Sequence, residues 1–202
     1  MTNKIYVWDR FVRVFHWLLV ALFTVSYLSG DEFETVHVYS GYGVCGLVCL
    51  RIIWGLIGSR YARFKSFLFS PKAIIEYAKS YCLGQPKHYL GHNPLGGLMV
   101  IALLSMLLLV TLSGMKLLAV EEGEGPFAET NAMHIVSPAY AERGEHREYE
   151  DEDDEDFWEN VHEVSVNLTI FLIILHLAGV FFSSKVHNEK LVKSMLTGYK
   201  KE

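Results

Sequence analysis

The sequence predicts an all-α integral membrane protein: a four-helix bundle with both termini in the cytoplasm and an acidic periplasmic loop between helices three and four. Three observations predict it. Apolar residues make up 51% of the 202 and gather in four blocks too long and too uncharged for a soluble core. Each block reaches the roughly 20 residues that cross a hydrocarbon layer of about 30 Å. The flanks of the blocks alternate between basic and acidic without exception. Length points to one domain over residues 1–202.

The spans fall at about 11–29, 36–58, 94–118 and 157–184. Only helices or closed barrels satisfy the backbone in lipid, and no alternating barrel pattern is present. Lys4, Arg10 and Arg13 precede the first span, and the first loop carries Asp31, Glu32 and Glu34. The second loop is basic, with Arg60, Arg63, Lys65, Lys72, Lys79 and Lys87. Within it, Ser70 followed by Pro71 starts a surface helix over 71–82, with Ile74, Ile75, Tyr77, Ala78 and Tyr81 as its apolar side. The third loop, 119–156, is acidic. Residues 121–159 hold 15 of the 23 carboxylates against only Arg143 and Arg147, so the net charge of −5 averages two opposite populations. The run from Glu148 to Asp156 reads as solvated, mobile chain. The tail is basic again, with Lys185, Lys190, Lys193, Lys200 and Lys201. Positive charge stays inside, which puts both termini in the cytoplasm of a multi-pass bacterial inner-membrane protein. The first block has charges before it and no small-residue cleavage site after it, so it reads as a retained span and not a signal peptide.

Cys45, Cys49 and Cys82 give no paired framework. No Cys-x-x-Cys-His occurs, which excludes covalent c-type haem, and the lack of any Cys-x-x-Cys argues against a structural zinc or an iron–sulfur site. Four histidines fall in or at the ends of spans: His16, His37, His162 and His176. Ionisable groups at such depth are costly and mark function. His162 and His176 are 14 residues apart on the fourth span. They therefore share a side and are separated by roughly 21 Å along the axis. Antiparallel spans then put His37 level with His162 on the outer side and His16 level with His176 on the inner side. Facing imidazoles at two depths are what six-coordinate haem iron needs. A two-metal site would call for carboxylates inside the spans, and none lies deep in them.

Arg51 follows His37 by 14 residues, at the depth of the inner pair. A haem propionate is one partner for it; snorkelling or a backbone carbonyl is the other reading. Gly41, one turn beyond His37, either admits a porphyrin face or serves helix packing. His88, His92, His134, His146 and His187 lie outside the spans and read as solvated.

Three stretches resemble the bacterial cytochrome b561 and nickel–iron hydrogenase b-type cytochrome family. They are Val7-Trp8-Asp9-Arg10 with Val12-Arg13-Val14-Phe15-His16-Trp17, then Gly91-His92-Asn93-Pro94-Leu95-Gly96, and an ending. The ending comprises His162-Glu163, His176-Leu177-Ala178-Gly179-Val180, His187-Asn188-Glu189 and Leu196-Thr197-Gly198-Tyr199-Lys200. The resemblance spans nearly the whole chain. It implies a dihaem b cytochrome with histidine ligands from spans one, two and four, exchanging electrons with the quinone pool and a partner protein.

The expected cofactors are two haem b, with axial pairs His16/His176 and His37/His162 and Arg51 at a haem edge. Quinone is the expected electron partner. Beside membrane lipid, the expected macromolecular partner is a periplasmic c-type cytochrome or a hydrogenase-like enzyme subunit; the acidic loop either steers a basic carrier such as the c-type cytochrome or is a solubilising loop without a partner; no nucleic acid is expected. An electron-transfer subunit is the leading reading. A self-contained quinone-linked oxidoreductase, such as a superoxide oxidase, and a haem-free scaffold are the alternatives.

Overall fold

The computed structural model describes residues 4–30, 32–84, 86–128 and 144–201. In chain order these form β1 (Lys4–Tyr6), α1 (Arg10–Ser29), α2 (Glu34–Ile57), α3 (Pro71–Cys82), α4 (Pro94–Glu121), α5 (Gly144–Val186), α6 (Leu191–Thr197) and β2 (Tyr199–Lys201). Helices α1, α2, α4 and the Asp154–Val186 part of α5 are long and apolar enough to cross a membrane. Three helix starts are written locally. Asp9 accepts the Val12 N–H at 2.8 Å and Asn93 the Gly96 N–H at 2.7 Å. Ser70 accepts the Ala73 N–H at 3.3 Å. Each cap satisfies an amide that the first turn leaves without a partner. Pro71 and Pro94 fill first-turn positions where no N–H is needed.

The helices pack in series: α1 on α2, α2 on α4, and α4 along α5, while α5 meets α1 and α2 only sparsely. The packed seam consists of Phe15, Val44, Val48, Leu104 and Leu107. Leu18, Leu56, Ile57, Leu177 and Phe181 point outward, as lipid-facing residues do. Residue Gly43 lets α1 and α2 close up, since a Cβ there would meet Leu22 at 2.9 Å.

The chain's two ends meet. β1 and β2 pair antiparallel, with Ile5 opposite Lys200, so both termini lie on one side of the bundle, here called the terminal side. Val7, Trp8, Val12 and Ala62 form a second small core there, joined by Trp54 and Met195. Gly198 ends α6 at φ +89, a left-handed conformation that favours glycine. Helix α3 packs on α4 and buries Tyr77, although Ile75, expected on the same apolar side, is exposed.

One expectation is corrected. The run Glu148–Asp156, read as solvated mobile chain, is helical and belongs to the first turns of α5, while its described side chains, Asp154 to Asp156, are exposed as expected. Glutamate propagates helix well, and carboxylates near a helix N-terminus oppose its positive pole favourably. The strand pair and α6 were not expected.

Candidate functional site

His37 and His162 come together on the side opposite the termini. Their ring centres are 6.0 Å apart and their planes cross at 83°. Each ring is held from behind. His37 Nδ1–H donates to the Ser26 carbonyl of α1 at 2.8 Å, and His162 Nδ1–H to the Val110 carbonyl of α4 at 3.0 Å. A proton fixed on Nδ1 leaves the lone pair on Nε2, and such outer hydrogen bonds set the tautomer and aim of a metal ligand. Ser113 Oγ lies 3.2 Å from His162 Nδ1. Gly114 makes room for the ring, since a Cβ there would sit 2.9 Å from His162 Cε1. Val110, Ser113 and Gly114 escaped the sequence reading. Their signal was present: a serine and a glycine break the leucine-rich third span where it faces the fourth.

His16 and His176 lie toward the terminal side, both half-buried and within electrostatic reach of each other. They do not make the ring contact seen for the other pair. The Nδ1 atom of His16 is buried with no partner among the described residues. Between the two levels on α5, Ser165 and Thr169 are buried, at 1% and 0% exposure. A Cβ on Gly41 would meet nothing within 4 Å, so the second span is open there and not packed.

Arg51 is 3% exposed. Its Nη2 donates to the Ala62 carbonyl at 3.0 Å, and the guanidinium lies 5.4 Å from the Phe64 ring centre. Nη1 is buried without a partner among the described residues. The backbone-carbonyl reading thus accounts for one end of the guanidinium and leaves the other end open. His92 is not the solvated residue the sequence indicated. Its ring lies between Trp8 at 4.7 Å and Phe67 at 4.8 Å. Burial first, then the charge of Arg51 and of Lys200 and the nearby His176, push its pKa down to about 3. His88 pairs with Glu189, and the His187 ring meets the His88 ring edge-on, with centres 5.4 Å apart. His134 and the side chain of His146 lie outside the described residues.

Over residues 7–198 the sequence matches the family described as prokaryotic cytochrome b561. The chain belongs to the prokaryotic cytochrome b561 family. It is a multi-pass membrane protein and a b-type cytochrome of electron transfer. It is 20% identical over 98% of its length to a probable Ni/Fe-hydrogenase B-type cytochrome subunit of Rhodobacter capsulatus, of which it covers 82%. Proteins of the same description in Rhizobium leguminosarum bv. viciae and Bradyrhizobium diazoefficiens are 26% and 25% identical, over 61% and 45% of this chain. The matched regions cover 62% and 48% of those two relatives. No solved structure matches the chain.

A cytochrome b561 binds b-type haem, and the residues here fit such a group. With ring centres 6.0 Å apart, His37 and His162 could each offer one nitrogen to a metal between them, at a metal–imidazole distance of about 2 Å.

Proposed function

We propose that this cytochrome holds two haem b groups, one between His37 and His162 and one between His16 and His176. It passes electrons across the bacterial inner membrane between the quinone pool and a redox partner. The observation that carries the reading is the His37/His162 pair, with both Nδ1 atoms tied to backbone carbonyls and both Nε2 lone pairs left for iron. The unpartnered Nδ1 of His16 supports the second site: that ring, too, is buried for a reason its own chain does not supply. Haem supplies reversible one-electron transfer, and two histidine ligands close the iron to oxygen. The protein positions the rings, excludes water and offers charge to the propionates, for which Arg51 Nη1 is a candidate.

The basic loops favour termini in the cytoplasm, which would put the His16/His176 haem near the cytoplasmic face and the His37/His162 haem near the periplasm. The relatives are named as hydrogenase cytochrome subunits, which favours a hydrogenase-like partner over a stand-alone enzyme. That partner, or a basic c-type cytochrome, would dock at the acidic periplasmic side.

The test is transfer itself. Purified protein in liposomes, given a reduced quinone, should show haem reduction in its visible absorption bands and pass electrons to ferricyanide enclosed on the other side. Haem that ferricyanide oxidises but no quinol reduces would reject the quinone reading.

A further inference from the structure

The two histidine pairs are backed differently. On the side opposite the termini, each ring has a carbonyl and a serine behind it. His162 Nδ1–H faces the Val110 carbonyl at 3.0 Å and Ser113 Oγ at 3.2 Å. Ser113 is 1% exposed, and its one hydroxyl proton goes to the Val110 carbonyl at 3.0 Å, so its oxygen can only accept from the ring. His37 Nδ1–H faces the Ser26 carbonyl at 2.8 Å, with Ser26 Oγ 3.5 Å away. That hydroxyl in turn donates to the His37 carbonyl at 3.4 Å. At the other level, His16 Nδ1 is buried with no partner among the described residues.

Charge differs in the opposite sense. Arg51 follows His37 on α2 by 14 residues, as His176 follows His162 on α5. Both helices run from the His37/His162 contact toward the terminal side, so Arg51 lies level with His176, roughly 21 Å from that contact. The guanidinium is 3% exposed, and its Nη1 has no partner among the described residues. Asp9 is within electrostatic reach, but its oxygens are taken by Val12, Trp54 and Ser59. The field here stays positive on balance: after burial, Arg51 and Lys200 are the next causes of the low His92 pKa, and no carboxylate counters them. The far end of the bundle instead carries the exposed carboxylates of Glu34, Glu121 and Glu122.

Carbonyls behind a histidine also fix the aim of its ring, but that does not explain a buried guanidinium left half-paired at the other level. We propose that Ser113 and the carbonyls of Val110 and Ser26 hold the His37/His162 haem at the lower reduction potential, and that Arg51 holds the His16/His176 haem at the higher one. The proposal rests on the dihaem reading above. Accepting a hydrogen bond from Nδ1–H makes the imidazole a stronger electron donor, which favours ferric iron. A cation favours the form with one more electron, and a guanidinium shielded from water acts more strongly than exposed carboxylates do. One electron at a time then moves downhill from the far pair to the terminal-side pair, with no proton transferred and no bond changed. In the orientation proposed above, the membrane potential opposes that direction, and the gap set by these residues drives transfer against it.

The test is a potentiometric titration of the full haem-loaded protein in detergent, followed in the visible bands, with His162→Ala and His176→Ala assigning the two components. The component lost in His162→Ala should titrate at the lower potential; the reverse order would overturn the proposal. Ser113→Ala should raise the midpoint of that component alone, a roughly threefold change in its reduced-to-oxidised ratio at fixed potential. Arg51→Gln should lower the other component alone by about tenfold, or about 59 mV for one electron. Arg51→Lys, which keeps the charge, should leave that midpoint near its original value. Two midpoints unmoved in both Ser113→Ala and Arg51→Gln would overturn the roles given to these residues. Both components moving together, or haem lost from these two variants, would make the residues structural supports and overturn their roles as well. One haem or none in the unsubstituted chain would sink the dihaem reading and the proposal with it, whereas two haems in the wrong order would leave that reading standing.

Discussion

His92 and Asp9 make the terminal side sensitive to acid. The imidazole of His92 is neutral because burial and the nearby positive charges push its pKa down to about 3, while an unfolded chain takes up that proton near 6.5. The folded value is the lower one. The unfolded state therefore binds more protons throughout the window from about 6.5 to about 3, and stability falls as pH falls through it. Asp9 adds to this with the same sign. Burial would raise its pKa, but hydrogen bonds from Ser59, Val12 and Trp54 and the charge of Arg51 bring it below the ordinary value. In His92→Phe, the unfolding midpoint in detergent should fall less steeply between pH 7 and 4 than in the unsubstituted protein; an equal slope would mean that His92 is protonated in the folded state. A second prediction concerns Gly114. A methyl group there meets His162 at 2.9 Å, so Gly114→Ala should weaken haem retention at the His37/His162 site. Gly46→Ala, which meets nothing within 4 Å, should leave the haem bands as they were. That His37 would meet His162, with His16 and His176 together at the other level, was legible in the sequence because helix phase and span direction are simple arithmetic. The carbonyls behind them and the enclosure of His92 were not, since each depends on an element distant in the chain.

At the scale of elements, the apolar runs and caps specified the long helices closely. Asp9 shows what one cap can gather. Its carboxylate closes the first turn of α1 and also takes hydrogen bonds from Trp54 at the end of α2, 3.1 Å away, and from Ser59. Losing a helix cap alone costs about 1 kcal/mol, so Asp9→Ala should lower stability by at least that, with α1 and the loop after α2 loosening together. Chemical denaturation followed by tryptophan fluorescence would measure it; an unchanged midpoint would mean the carboxylate is dispensable. The strands were illegible for a physical reason. Three residues carry no periodicity, and β1 finds its partner nearly two hundred residues later. Arg13 reinforces the junction by donating to the Leu196 carbonyl of α6 at 2.6 Å. The acidic stretch misled in the other direction. Its composition spoke for a solvated chain, whereas its place ahead of an apolar helix favours continuation of that helix.

The whole molecule is polarised. One end holds both termini, the basic loops and the enclosed His92; the other holds the His37/His162 pair and the approach to the acidic segment. Single cysteines introduced into β1 and β2 of a cysteine-free variant should both be shielded in intact cells from an impermeant maleimide, while one at Glu122 should react. Labelling of the two strands from outside would invert the orientation. The pairing of imidazoles at two depths is the claim on which electron flow depends, and a haem count by pyridine haemochrome with a visible spectrum tests it most directly. The account predicts two low-spin haem b per chain. It also predicts the loss of one in each of His37→Ala, His162→Ala, His16→Ala and His176→Ala, with the two members of a pair removing the same spectral component. A single haem in the unsubstituted protein, or both haems retained in His162→Ala and His176→Ala, would contradict it.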